Sequence, residues 1–160
     1  MKKTINVSNQ GASLDTGRRN FLKLSGIGLA MAGLALVGCN DDDMMIDNGG
    51  NGFDLGKGDV GVLNYAYALE QLEADFYSKV VNNFYPGISS LEREILTDLY
   101  HHEVIHRDFF KAAISGATSN GLTTLEFQYH NVNFNDRNSV LATAKALEDT
   151  GVAAYNGAGK

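Results

Sequence analysis

A short motif recurs in this 160-residue chain at one fixed offset. Ala68-Leu69-Glu70 reappears as Ala146-Leu147-Glu148, and the tyrosine seven residues beyond each glutamate, Tyr77 and Tyr155, keeps the same offset of 78. Seven residues make about two helical turns, so each Glu–Tyr pair lies along one face of one helix. The fold must therefore contain two related helices, each carrying a carboxylate and a phenol on the same side.

The surrounding pattern supports three helices. The first is predicted from Asp59 to Phe84, with no Pro and no Gly after Gly61. Asn64, Gln71, Asp75, Ser78 and Asn82 fall within a narrow sector at about 100° per residue. Glu70 and Glu73 stand outside that sector, on the side expected to be buried. Asn83 to Gly87, with Pro86, ends the helix. Ser89-Ser90-Leu91-Glu92 is a capping-box pattern that opens a second helix, expected to run to about Ser115 and stop at Gly116. Leu96, Leu99, Glu103, His106, Phe110 and Ala113 form its inner stripe. Residues 116–138 alternate Leu125, Phe127, Tyr129, Val132 and Phe134. This stretch reads as a partly extended crossover packed on the helices rather than as a sheet. A third helix starts near Asn138 or Ser139, with Leu141, Ala144, Glu148 and Tyr155 facing inward. A short first connection favours antiparallel neighbours, and a long second one allows a crossover. The expected fold is all-α, an antiparallel four-helix bundle of which this chain supplies three helices.

The second helix carries His101-His102-Glu103-Val104-Ile105-His106. Glu103 and His106 are spaced i,i+3 and project from one face, so they can give one carboxylate and one imidazole to a metal. Two helices giving Glu and two giving Glu-x-x-His is the ligand pattern of di-iron and di-manganese bundles. Carboxylates bridge two divalent ions and neutralise their charge, and imidazoles complete the coordination. The chain holds Glu, Glu-x-x-His and Glu in that order. By the offset of 78, a second Glu-x-x-His falls near positions 181 and 184, past Lys160. The expectation is a C-terminally truncated bundle.

Within the first helix either Glu70 or Glu73 can be the ligand. Helical angle favours Glu73. The repeat favours Glu70, because Glu70 matches Glu148 while Glu73 matches Gly151. Glu73 then supports the ligands, adds one of its own, or forms a salt bridge. Tyr77 and Tyr155 are expected to hydrogen-bond the ligand carboxylates. His101 and His102 read as surface or supporting residues, and nothing assigns a role to His130.

The segments Leu63–Tyr77, His102–His106 and Ala146–Tyr155 together resemble the ferritin-like superfamily, in particular bacterial exported ferritin-like proteins related to plant desiccation-related proteins. The resemblance covers about residues 58–160. It implies a ferritin-like bundle with metal positions at Glu70, Glu103, His106 and Glu148, and a di-iron or di-manganese cofactor. The function so implied is metal binding at the cell envelope, with oxidation of ferrous iron or handling of oxidative stress. The alternatives are a non-catalytic, stress-related helical-bundle lipoprotein and a non-functional gene fragment.

The N-terminal residues read as an address. Arg18-Arg19-Asn20-Phe21-Leu22-Lys23 precedes an apolar run from Gly26 to Gly38 and then Cys39, the chain's single cysteine. A basic segment, a short apolar core and a small residue before the processing point are the parts of an export signal. The Arg-Arg pattern resembles the twin-arginine signal, and Leu36-Val37-Gly38-Cys39 resembles a lipobox, in which the cysteine is lipidated. The alternative is an amphipathic helix with a chance Arg pair. The reading implies export and a lipid anchor on Cys39, in the periplasm or at the outer membrane. Residues 40–57 are acidic and Gly/Asn-rich, as expected of a tether. The whole chain carries a net charge of -6, but Lys2, Lys3, Arg18, Arg19 and Lys23 all belong to the signal. Residues 40–160 keep 8 basic and 18 acidic residues, a net -10. That balance argues against nucleic acid as a partner. It suits cations, and an apolar face left open by three helices suits a homo-oligomer.

Overall fold

The amide side chains of the first helix decide where the long connection runs. The computed structural model describes residues 3–6 and 55–158. It orders them as β1 (Lys3–Asn6), α1 (Gly58–Asn82), α2 (Ser90–Ala117), β2 (Leu125–Gln128) and α3 (Arg137–Ala158). Arg18, Arg19 and Cys39, and nearly all of the expected tether, lie outside the described residues. No described helix is long and apolar enough to cross a membrane.

The helix boundaries follow local chemistry. The Ser89 hydroxyl accepts from the Glu92 backbone N–H at 3.1 Å, and the Glu92 carboxylate accepts from the Ser89 backbone N–H at 3.3 Å. Both halves of the expected capping box are present. Gly87, at φ 75°, supplies the left-handed residue of the turn between α1 and α2. Two expectations shift slightly. α2 continues one residue past Gly116 to Ala117. α3 starts at Arg137, because the Asp136 carboxylate accepts from the Ser139 backbone N–H at 2.7 Å and satisfies a donor of its first turn.

α2 and α3 both pack on α1, and they meet each other through side chains, as where the Phe110 ring stacks on that of Tyr155 at 6.1 Å. α3 runs antiparallel to α1, since Tyr77 meets Glu148 while Tyr155 meets Glu70. α2 and α3 start side by side, where Arg137 Nε donates to Glu92 Oε1 at 2.7 Å. This arrangement, three helices with a long crossover between the second and third, fits an all-α ferritin-like fold.

The crossover climbs along α1. Asn64 Oδ1 accepts from the Leu122 N–H at 2.9 Å, and its Nδ2 donates to the Leu55 carbonyl at 2.9 Å. Gln71 Oε1 accepts from the Leu125 N–H at 2.8 Å, and the Tyr129 hydroxyl donates to the Leu72 carbonyl at 3.2 Å. Asn64 and Gln71 are therefore buried, although they share a polar sector with exposed Asn82. The helical period places polar residues on one face but cannot say that an extended strand will cover that face. Against the expectation of no sheet, the crossover also forms one short parallel pair, with Leu125 opposite Lys3 and Gln128 opposite Asn6.

The core lies between α1, the crossover and the flanking helices. Leu72, Phe76, Tyr77 and Val80 from α1 pack with Leu96, Val140, Ala144 and Leu147. A smaller cluster of Ala68, Leu69 and Leu125 lies nearer the start of α1. On the side of α2 and α3 away from α1, Ile105, Phe109 and Val152 are each more than 60% exposed.

Candidate metal centre

Glu70, Glu73 and Glu103 are buried to within 3% of full enclosure, side by side in the middle of the helices. The i,i+3 spacing of Glu70 and Glu73 turns both carboxylates off the same side of α1. Glu103 faces them from α2. Glu148, half-buried on α3, adds its charge to the same neighbourhood. The other three carboxylates lie close enough to act on Glu73. Burial pushes the Glu73 carboxyl well above the usual range, and the charges of Glu70, Glu103 and Glu148 push it further. Glu70 is raised to about 7, first by burial and next by the neighbouring Glu103 carboxyl. Meanwhile Lys79, Arg107, Arg137 and Lys145 pair with Asp75, Asp108, Glu92 and Asp149, all outside this group.

The two copies of the repeat hold each other. The Tyr77 hydroxyl on α1 donates to Glu148 Oε1 on α3 at 2.7 Å, and the Tyr155 hydroxyl on α3 donates to Glu70 Oε1 on α1. The expected tyrosine–carboxylate bonds therefore exist, and each crosses from one copy to the other. This reciprocity follows from two antiparallel copies related by a local two-fold axis. Each bond fixes one carboxylate oxygen and leaves the second for another partner. Glu70 Oε2 is buried and has no hydrogen-bond partner. Replacing each tyrosine by phenylalanine should cost stability, and Tyr77→Phe more than Tyr155→Phe. Tyr77 is fully buried whereas Tyr155 is 40% exposed, so water replaces only the latter's bond. About 1–3 kcal/mol is expected for Tyr77→Phe and under about 1 kcal/mol for Tyr155→Phe. Urea unfolding measures both, and the reverse order would contradict the trans pairing.

Imidazoles close the remaining side. His106 Nδ1 lies 3.4 Å from Glu70 Oε2 and 3.5 Å from Glu103 Oε2. His102 Nδ1 meets Glu103 Oε1 at 2.8 Å, which raises the His102 pKa. Potential metal-binding atoms gather into two groups: Glu70, Glu73 and Glu103, and His102, Glu103 and His106. The sequence-predicted Glu70, Glu103 and His106 thus come together. Glu148 lies beside them but in neither group, its Oε1 held by Tyr77. His102, read from sequence as a surface or supporting residue, joins the donors. Its i,i+4 spacing to His106 was the available signal. Glu73 also joins them, and Gly151 explains its room, since a Cβ there would stand 3.2 Å from Glu73 Oε1.

Such a set suits divalent cations. Carboxylate oxygens bring negative charge, imidazoles bring neutral nitrogen donors, and an orphaned buried oxygen is costly unless something binds it. No curated protein and no solved structure matches the chain. The family model described as "Ferritin-like domain" matches residues 58–160, the stretch that carries the repeat, the Glu-x-x-His pair and the crossover. On that match the chain belongs to the ferritin-like domain family.

Proposed function

We propose that the protein binds a pair of iron or manganese ions at the cell envelope through Glu70, Glu103, His106 and Glu148. In that reading it oxidises ferrous iron or handles oxidative stress. The observation that carries the proposal is the buried carboxylate group, whose Glu70 Oε2 has no hydrogen-bond partner and which, among the described residues, meets the imidazoles of His102 and His106 but no Lys or Arg. Like charges in a low-dielectric interior are costly, and bound cations offset that cost. When bound, the ions supply one-electron chemistry with oxygen species. The chain's own residues hold and orient. Tyr155 and Tyr77 fix one oxygen each of Glu70 and Glu148, and His102 fixes Glu103.

Metal analysis of the full chain tests the reading. Two ions per chain are expected after anaerobic loading with Fe²⁺ or Mn²⁺, and Glu103→Ala should remove both because Glu103 belongs to both donor groups. A wild-type chain that retains no metal would sink the proposal. A second reading, a structural or stress-related bundle without turnover, is favoured by the exposure of His102 and His106 on one side of the centre. Metal retained without oxidation of ferrous iron would select it.

The proposal includes export through Arg18 and Arg19 and lipid anchoring through Cys39, supported by their order ahead of the acidic tether. Cys39→Ala should abolish incorporation of labelled lipid, and unchanged labelling would refute the anchor. It also includes self-association, supported by exposed Ile105, Phe109 and Val152. Sedimentation of the same preparations checks this, and a monodisperse monomer would count against it.

A further inference from the structure

Two groups of candidate ligands meet at Glu103, and they are chemically unlike. Glu70, Glu73 and Glu103 offer three buried carboxylate oxygens within 4.8 Å of one another. His102, Glu103 and His106 offer two imidazole nitrogens and one carboxylate oxygen within the same span, at the solvent edge. We infer that the centre is built as two unlike metal positions sharing Glu103. The inner, all-oxygen position takes a hard divalent cation such as Mn²⁺, and the outer, imidazole-rich position takes a borderline cation such as Zn²⁺. This rests on the metal-binding reading above, puts Glu73 and His102 among the donors in place of Glu148, and adds which ion each position takes.

The inner position has more behind it than acidity. Glu70 is 1% exposed, and its Oε2 is buried with no hydrogen-bond partner, 3.4 Å from His106 Nδ1. Glu73 has room beside the cluster because its counterpart in the repeat is Gly151. A side chain there would press on the Glu73 carboxylate, whose Oε1 lies 3.2 Å from where a Cβ would stand. The repeat alone makes a symmetric centre. The Glu73/Gly151 difference makes it asymmetric, adding a carboxylate from α1 and none from the matching place on α3.

The outer position belongs to α2. The His102 and His106 rings lie 3.9 Å apart, as an i,i+4 pair should. Both Glu103 oxygens meet the imidazoles, Oε1 on His102 at 2.8 Å and Oε2 3.5 Å from His106 Nδ1, and the same carboxyl lies close to Glu70. One carboxylate can therefore serve both positions. Donor type then separates the ions: carboxylates suit manganese, magnesium and calcium, while imidazole suits zinc, copper, iron and nickel. Zinc binds more tightly than manganese to a given site of this kind, so discrimination appears when zinc is limiting.

The test uses the full chain, loaded with one equivalent of Zn²⁺ and then excess Mn²⁺, and passed through a desalting column. Metal counts and the Mn²⁺ electron paramagnetic resonance spectrum are read together. The expected result is one ion of each kind per chain, with the spectrum of isolated Mn²⁺. In the variants, His102→Ala should weaken zinc by about 100-fold and manganese by less than about threefold, and Glu73→Gln should do the reverse. Circular dichroism checks that both variants stay helical. The wild-type measurement decides even if they do not. Coupled Mn²⁺ pairs, or variants that weaken both metals equally, would overturn the inference while leaving metal binding intact. A wild-type chain that retains neither metal would overturn the metal-binding reading and the inference with it.

Discussion

In a metal chelator the protein should lose stability as pH rises from about 4.5 to about 7, the reverse of what paired surface carboxylates do. Glu70 drives the slope, because burial and the Glu103 carboxyl raise its pKa from 4.5 to about 7. Below 4.5 the group is protonated in the folded and the unfolded chain, and its neutral form costs nothing extra. Above 4.5 the unfolded chain ionises first, so it binds fewer protons than the folded chain and stability falls. The loss is complete once pH passes the folded value, and its size is on the order of 3 kcal/mol. Glu73 is shifted the same way and adds to the loss. Glu92 acts in another window and with the opposite sign. Arg137 holds it down to about 2, so its contribution is present above 4.5 and is lost as pH falls toward 2.

Divalent cations should reverse the slope. Metal replaces the protons, so adding Mn²⁺ at pH 7.5 should stabilise most where the chelated protein is weakest. Glu70→Gln isolates the cause: the amide oxygen still accepts from Tyr155, but the charge at position 70 is gone. That variant should be flatter with pH in chelator and gain less from Mn²⁺. Urea titrations at several pH values, with and without metal, make the comparison. Equal stability of the chelated wild-type chain at pH 4.5 and pH 7.5 would contradict the account.

The second large effect lies in the core that aims these carboxylates. Phe76→Ala should cost about 3–5 kcal/mol, the range for a fully buried aromatic side chain. Phe76 stands between the site and the crossover. Its ring lies 5.2 Å from that of Tyr77, 5.7 Å from Phe134 and 6.1 Å from Tyr129. Deleting it removes the surface against which the upper crossover packs, and loosens Tyr77, which holds Glu148. The variant should therefore be cut faster by protease within residues 129–136 as well as melting earlier. A cost below about 1 kcal/mol would mean that the cluster is not where the crossover is anchored.

Sequence alone determined whatever depends on helical spacing. The three helices, the capping box of Ser89 and Glu92, the shared face of Glu103 and His106, and the pairing of each glutamate with a tyrosine are all matters of residues three, four or seven apart. Only tertiary structure decided what depends on one element lying against another. It set Tyr77 on Glu148 and Tyr155 on Glu70 across two antiparallel helices. It buried Asn64 and Gln71 under the crossover, where their amides hold its backbone. It drew Glu73 into the space over Gly151 and turned His102 onto Glu103. The reason is physical: a helix fixes the direction of each side chain relative to its own axis, but not what stands in that direction. A neighbour packed at a particular register settles that, and in this chain it converted a repeated Glu–Tyr pattern into an asymmetric cluster of carboxylates and imidazoles.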